Sequence, residues 1–299
     1  MIEAYIVERR SMQRNTPSSS LLQVNHGSAR SILLTILGEF VYPEEQPVWT
    51  STLLHILTGV GVEEKAARQA IARGAAAGWI TSGRSGREVC WHLTPAGKQL
   101  IKEGAERVES LSADSAEWDC RWLILIITVP ESNRVVRRRL YSSLSWAGFG
   151  NPTPGIWISP HPEREGEARR VIDNLKLSSS TFSFVGSCAS IGLSERDLVK
   201  RAWNLGAVEA YYEEVLDRFK GLQPQEGDPI LFTHVQLVNQ WQRFPFIDPQ
   251  LPDALLPTDW IGRRAAVLFR EQRAAWHDAT HARWHELTGA ATTADRAGR

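Results

Sequence analysis

The chain has 299 residues, of which 42% are hydrophobic and 23% are charged. This length exceeds that of one typical domain and predicts two or three folded units. The 34 basic residues are balanced by 34 acidic residues, which excludes a globally basic nucleic-acid-binding protein, so any such site must be a local patch.

The cysteines and the apolar runs restrict where the protein acts. Cys90, Cys120 and Cys188 are odd in number and far apart, which excludes a disulfide framework or a zinc-ligand spacing. The most apolar run, 122–129, is too short to span a bilayer as a helix. Residues 1–27 contain no signal-peptide core and are interpreted as a flexible N-terminal arm. We therefore expect a cytoplasmic protein with no membrane partner.

Residues 28–94 have the pattern of three short helices followed by a hairpin. Apolar side chains recur at helical spacing in 29–40, and a loop with two prolines ends that helix. A second helix follows, and two glycines separate it from a third helix over about 63–77. Two short strands then flank a glycine-containing tip at 83–86. This order predicts a winged helix-turn-helix domain.

The third predicted helix carries cationic and amide side chains on one face. Three of these side chains follow the first, Lys65, by three, four and eight residues, so all four share one face of the helix. The opposite face is rich in alanine. In the major groove of DNA, arginine can bond guanine and glutamine can bond adenine. A solvated surface helix gives the same pattern, but the glycine turn before it and the arginine-tipped hairpin after it favour DNA binding. The candidate contacts are Lys65, Arg68, Gln69 and Arg73.

The hairpin tip is the second candidate DNA contact. Arg84 and Arg87 flank Ser85 and a glycine, so two cations lie on a segment whose backbone can approach phosphates closely. The flanking Trp79 and Trp91 are interpreted as core side chains. Basic hairpin tips also occur for solubility, so the tip supports DNA binding only together with the third helix.

Residues 118–192 alternate between strands and helices, whereas residues 193–299 are mostly helical. The predicted order in the central part is strand, helix, strand, helix, strand, which predicts an α+β, ferredoxin-like domain. Residues 95–117 are predicted as a helical linker, and 193–299 as a helical C-terminal domain. The predicted central elements cover 122–129, 132–147, 155–159, 163–176 and 181–187.

The central domain also carries aromatic and cationic side chains suited to a small-molecule effector. Arg137 and Arg138 are expected to point outward from their helix, where they can hold phosphates, pair with a partner subunit or be solvated. The pocket is expected near the tryptophans and the join with the helical region that follows. The candidate effector-binding residues are Trp118, Arg121, Trp122, Arg137, Arg138 and Trp157.

No pattern in the sequence identifies a catalytic or metal site. His277, His281 and His285 recur every four residues, a spacing that can bind a metal, but no cysteine or clear carboxylate shell completes the set. Serine-hydrolase, zinc-protease and phosphate-loop motifs are absent from the sequence. We therefore expect a protein that is not an enzyme and that holds no cofactor or metal.

Several long segments resemble the PaaX family of bacterial transcriptional repressors. Residues 48–97 are similar to the N-terminal part of that family. Residues 118–160 follow the pattern WDxxW…RxxLxxxLxWxGFGxxxPGxWxSP, which is the most specific part of the resemblance. AWNLGAVEAYYEEVLDRF at 202–219 and LPDALLPTDWIG at 251–262 are similar to the family's C-terminal segments. The similarity covers about residues 28–270.

The resemblance implies a winged-helix domain, a central Cas2-like domain and a helical C-terminal domain. It also implies a homodimer that binds an inverted-repeat operator and is released by an aryl-CoA thioester such as phenylacetyl-CoA. Arg68, Arg73 and the 84–87 wing are the matched positions expected to contact DNA. Two alternatives stay open: a metal-dependent, Cas2-like nuclease that uses Asp119 or Glu131, and a protein-interaction adaptor that does not bind DNA.

Overall fold

The computed structural model of the chain describes residues 28–85, 88–111 and 117–297. The predicted N-terminal arm and the wing residues Gly86 and Arg87 lie outside these ranges. As predicted, the described chain contains both helices and strands, and the strands form two small sheets. None of the described helices is long and apolar enough to cross a membrane.

The described residues form two compact units. The N-terminal unit contains the residues up to Ser110 together with Arg218–Arg243 and 267–297. The central unit contains the residues from Leu111 to Asp217 together with Phe244–Ala266. The helical segments that follow residue 193 are therefore divided between the two units.

The N-terminal unit begins with helices and a small antiparallel sheet. Its elements are α1 (Ala29–Ile36, followed by the π-helical turn Leu37–Val41 and the short turn Tyr42–Glu44), β1 (Val48–Trp49), α2 (Thr50–Gly59), α3 (Glu64–Ala76), β2 (Ile80–Ser85), β3 (Glu88–Leu93) and α4 (Pro95–Ser110). The order across the sheet is β1–β3–β2. The hydroxyl oxygen of Ser28 accepts a hydrogen bond from the amide of Ser31 (3.3 Å) and so caps α1. The predicted linker is helical over the described range of α4.

Two helices from the end of the chain complete the core of this unit. They are Asp228–Trp241 and Ile261–Ala297, numbered α9 and α10 in chain order. Leu231, Val235 and Trp284 from these helices are buried among the apolar side chains of α1, α2 and α3. The rings of Phe40 and Trp284 stack with their centroids 4.9 Å apart. Burial of this apolar surface joins the two ends of the chain in one core.

The central unit contains a four-stranded antiparallel sheet with the chain order strand, helix, strand, strand, helix, strand. Its elements are β4 (Trp122–Ile127), α5 (Arg134–Trp146), β5 (Gly150–Thr153), β6 (Ile156–Ser159), α6 (Glu165–Asn174) and β7 (Thr181–Gly186). The order across the sheet is β5–β6–β4–β7. This arrangement is of the ferredoxin-like type and confirms the prediction. The strand that the pattern missed, β5, contains Pro152 and lacks alternating apolar side chains.

Strand β4 is covered on both faces, which explains its continuous apolar sequence. Leu123 and Leu125 pack in one core with the helices α5 and α6. Trp122, on the opposite face, packs with Val199 of α7 (Glu195–Ala202) and with Leu251. The remaining helix of the chain is α8 (Leu205–Phe219). Strand β7 forms one edge of the described sheet.

Candidate nucleic-acid interface

The buried residues of α3 determine which of its faces points outward. Ala67, Ala70, Ile71 and Gly74 are buried on one face of this helix. A Cβ atom added to Gly74 would lie 3.3 Å from Cδ2 of Leu33, so glycine permits a close approach of α3 to α1. The opposite face of α3 is therefore directed away from the core.

That outward face carries all four side chains predicted from the third helix. Each of them is exposed, and the helix begins with Glu64 and has Arg73 in its last turn, an order that suits the helix dipole. A shallow, open depression is lined by Glu64, Ala72 and three of the predicted residues. The exposed predicted residues are Lys65, Arg68, Gln69 and Arg73.

Arg68 is paired within its own helix rather than with another element. Its Nε and Nη2 donate to Oε1 of Glu64 over 2.9 and 2.7 Å. Both side chains are more than half exposed, at 59% and 62%. An exposed pair at this spacing contributes only about 0.3–0.5 kcal/mol, so a DNA phosphate or base can replace the carboxylate. The pairing leaves the guanidinium on the surface and able to reach outward.

Side-chain hydrogen bonds join strand β3 of the hairpin to the start of α2. The indole Nε1 of Trp91 donates to Oγ1 of Thr50 (2.9 Å), and this hydroxyl donates to the carbonyl of Val89 (3.0 Å). Trp79 is buried, as predicted for a core side chain, and Trp91 is half-buried. These contacts fix the hairpin to the start of α2, and therefore fix its direction relative to the N-terminal helices.

Two of the predicted wing residues, Arg84 and Ser85, lie at the far end of this hairpin. Arg84 is exposed and pairs across the strands with Val89, and the backbone of Ser85 pairs with Glu88. Arg87 is the predicted wing residue that falls outside the described residues. The structure thus brings Arg84 and the exposed α3 face into one unit, with both exposed.

Arg30, at the start of α1, is a cation that the sequence patterns did not identify. Its guanidinium carbon lies 4.1 Å from the centroid of the Trp79 ring. Burial and the charge of Arg73 lower the pKa of Arg30. An arginine two residues after the N-cap Ser28 is visible in the sequence, but its stacking on Trp79 depends on tertiary packing and leaves no local pattern.

The predicted effector-binding tryptophans lie on different faces of the central sheet. Trp118 contacts Trp122 edge-on, with centroids 5.2 Å apart, and Trp122 is stacked on Trp203 at 6.4 Å. Trp157 is buried on the other face, where its ring meets Tyr141 of α5 at 5.1 Å. The sheet therefore separates Trp157 from the other two tryptophans.

The predicted effector-binding arginines are also dispersed. Nε of Arg121 lies 3.0 Å from Oδ2 of Asp119. Nη2 of Arg137 donates to the carbonyl of Pro130 over 3.2 Å, and Arg138 is exposed on the same helix, α5. The structure does not gather the six candidate effector residues into one site.

The acids and histidines considered for metal binding have other neighbours. Asp119 pairs with Arg121, and Glu131 is exposed in the turn after β4. The rings of His277 and His281 stack at 4.3 Å, and Nε2–H of His285 donates to a carboxylate oxygen of Glu44 over 2.8 Å. In the described ranges, no three His, Cys, Asp or Glu side chains are grouped so that they could hold a metal ion.

Comparisons with known proteins cover most of the chain. Family models match residues 28–97 (PaaX-like protein), 115–199 (PaaX protein central Cas2-like domain) and 203–286 (PaaX-like protein C-terminal domain). The transcriptional repressor PaaX of Escherichia coli strain K12 is 25% identical over 252 residues, which is 81% of this chain and 78% of that protein.

A solved structure gives an independent match to the fold. The uncharacterized protein Rv0674 from Mycobacterium tuberculosis superposes with a TM-score of 0.56 and 19% identity, over 86% of this chain and 99% of that one. At this identity the match supports the fold alone.

Proposed function

Since this chain belongs to the PaaX family, we propose that it is a transcriptional repressor that binds operator DNA through a winged helix-turn-helix formed by α1–α3 and the β2–β3 hairpin. Helix α3 is the proposed recognition helix, and Arg84, Ser85 and Arg87 are the proposed DNA contacts of the hairpin. The proposed activity is binding rather than catalysis, and it takes place in the cytoplasm, where the operator lies.

The observation that carries the proposal is the exposed polar face of α3. Its buried side carries Ala67, Ala70, Ile71 and Gly74, and the long cationic and amide side chains lie on the other, exposed side. A helix of this kind fits the major groove, where the side chains reach base edges and phosphates. Phosphate contacts supply most of the affinity, and base contacts supply the register.

We also propose that the repressor is a homodimer joined at the edge strand β7. Phe182 and Phe184 of this strand are 63% and 56% exposed, and Val185 is 47% exposed. The neighbouring sequence from residue 177 to residue 194 contains no charged side chain that would keep another strand away from this edge.

A second copy of the chain suits this surface better than a different partner. An antiparallel edge strand is self-complementary, because a two-fold axis brings its free backbone groups opposite those of the copy. Covering the apolar side chains of β7 and of the adjoining Ile126, Ile191 and Leu193 would bury on the order of 600 Å² per copy, close to what a stable interface needs. A dimer would also present two α3 helices to the two halves of an inverted repeat.

An aryl-CoA thioester, such as phenylacetyl-CoA, is the proposed effector that releases the repressor. The family resemblance suggests this class of ligand. The exposed guanidiniums of Arg137 and Arg138 on α5 have the charge and hydrogen-bonding geometry that phosphates of coenzyme A require.

A gel-shift experiment with the DNA upstream of the gene tests this function. We expect the wild-type protein to retard this fragment but not an unrelated duplex of equal length, and we expect phenylacetyl-CoA to reverse the retardation. Addition of magnesium should leave the DNA intact. Cleavage of the fragment would instead support the nuclease alternative, and a protein that retards no duplex would support the adaptor alternative.

A further inference from the structure

The side chain of Arg30, at the start of α1, is half-buried. It lies over the face of the Trp79 ring at 4.1 Å, a geometry in which the aromatic ring attracts the cation. Trp79 itself is 2% exposed, so the core fixes the position of the indole ring on which Arg30 lies. The Nε of Arg30 is buried and has no hydrogen-bond partner among the described residues.

The guanidinium of Arg73, on α3, is close enough to Arg30 for their charges to interact. Leu33 lies one helical turn after Arg30 on α1, and it packs against Gly74, which directly follows Arg73 on α3. The close contact of Leu33 with Gly74 therefore brings the start of α1, which carries Arg30, near the last turn of α3, which carries Arg73. Burial lowers the pKa of Arg30, and the charge of Arg73 lowers it further.

Within the described part of the chain, no carboxylate forms an ion pair with Arg30 or Arg73. The ion pairs recorded there include Arg68 with Glu64 on the same helix, but none that involves Arg30 or Arg73. Two neighbouring cations without an acid repel each other, and one of them also has a buried polar atom that lacks a partner. An anion bound by both guanidiniums would offset this repulsion.

We propose that Arg30 and Arg73 together form a binding site for one phosphate of the DNA backbone. This inference rests on the proposed DNA-binding function, because the phosphate is supplied by the duplex that α3 contacts. Trp79 positions Arg30 by holding its planar guanidinium, so less side-chain freedom is lost when the phosphate binds. The contact fixes the orientation of α3 on the duplex and carries no base specificity.

The dependence of duplex affinity on salt concentration tests this site. The probe is a labelled duplex from the upstream DNA, with Arg30→Gln, Arg73→Gln, the double variant, and Arg170→Gln as a control of equal charge change at an exposed position on α6. Loss of one phosphate contact lowers the slope of log affinity against log salt by about one, and we expect about a tenfold weaker complex for each single variant. The control variant should match the wild type.

The double variant distinguishes a shared phosphate from two separate contacts. If both arginines hold the same phosphate, the double variant weakens binding by less than the product of the two single effects. Arg30→Lys should keep the slope of the wild type, because it keeps the charge, while binding less tightly. Arg73→Gln alters an exposed side chain, so its result stands even if Arg30→Gln does not fold.

Two outcomes would overturn the inference while leaving the proposed function intact. One is a wild-type protein that binds the duplex, together with Arg30→Gln and Arg73→Gln variants that share its affinity and slope. The other is a double variant whose loss equals the product of the single losses, which would mean separate contacts. A wild-type protein that binds no duplex would count against the proposed DNA-binding function itself.

Discussion

The buried Nε2–H of His234 donates a hydrogen bond to Oε2 of Glu39 over 3.0 Å, although 195 positions separate the two residues. Nη2 of Arg273 donates to the other carboxylate oxygen over 2.9 Å. Glu39 lies between α1 and β1 in the chain, and both of its hydrogen-bond partners come from the distant helices α9 and α10. The helices proposed to bind DNA and the end of the chain are stabilised as one folded unit.

Replacement of this carboxylate should destabilise the protein in a pH-dependent way. Burial alone would raise the pKa of Glu39, but the hydrogen bond from His234 and the charge of Arg273 lower it to about 2. A lowered pKa in the folded state stabilises the protein above the ordinary pKa of about 4.5, and this stabilisation is lost as the pH falls towards 2. At pH 7, Glu39→Gln should lower the free energy of unfolding by about 2–3 kcal/mol.

Urea denaturation of both proteins between pH 7 and pH 3 measures this effect. The difference between wild type and Glu39→Gln should be constant near neutral pH and should shrink below about pH 4.5. Glu106→Gln removes an exposed carboxylate of α4 and should leave the free energy of unfolding within about 0.5 kcal/mol of the wild type. A Glu39→Gln difference that stays constant down to pH 3 would contradict the assigned role of the carboxylate.

Removal of the Arg68 guanidinium should weaken DNA binding without affecting the fold. Arg68→Ala is expected to lower the affinity for operator DNA by about 1–3 kcal/mol, because a base or phosphate contact is lost. The matched change, Glu64→Gln, removes the intrahelical partner of Arg68 and also an acid near the phosphates. It should bind as tightly as the wild type or more tightly. Fluorescence anisotropy with a labelled duplex compares the three proteins, and equal affinity for Arg68→Ala would argue that α3 does not read DNA.

The wing should contribute mainly to the salt dependence of binding. The double variant Arg84→Ala/Arg87→Ala is expected to lower the slope of log affinity against log salt by about two, because two phosphate contacts are lost. Replacing two other cations, Arg169 and Arg170 of α6, gives the same change in net charge at exposed positions outside the proposed interface. If both double variants have the slope of the wild type, the hairpin tip does not contact the duplex.

A charge on the edge strand β7 should convert the dimer into monomers. Phe184→Lys adds a cation to the face that the two copies are proposed to share, where burial of an unpaired charge is costly. Val135→Lys makes a similar change at a side chain of α5 that is 49% exposed. Analytical ultracentrifugation should show monomers for Phe184→Lys and dimers for Val135→Lys and the wild type. A wild-type monomer at micromolar concentration, or a dimeric Phe184→Lys variant, would exclude this interface.

The local pattern of the sequence was sufficient for the elements that bear the proposed interface. Small residues on one side of α3 and long polar residues on the other determine which face is buried, and the structure has this arrangement. The strand β4 was likewise evident from its continuous apolar run, and the helix α5 from its apolar periodicity. By contrast, β1 has only two residues, and β5 contains a proline, so neither has a detectable alternation.

Features that depend on contacts between distant segments could not be predicted from the local pattern. Nothing near His234 in the sequence indicates that it meets Glu39, and nothing near Arg30 indicates that it stacks on Trp79. The separation of Trp122 from Trp157 follows from the register of β4 and β6, in which Leu125 is opposite Trp157. The residue pattern of one strand does not determine its register with a neighbouring strand.

Hydroxyl-radical footprinting of the upstream DNA shows where the protein covers the duplex, so it is the decisive experiment on DNA binding by α3 and the hairpin. We expect two protected half-sites on one face of the DNA, with centres about 10–10.5 base pairs or a multiple of that apart. A variant with Lys65→Glu and Arg68→Glu should protect neither of them while keeping its thermal stability. Absence of protection by the folded wild-type protein at about 0.15 M salt would contradict the claim that α3 and the hairpin bind duplex DNA.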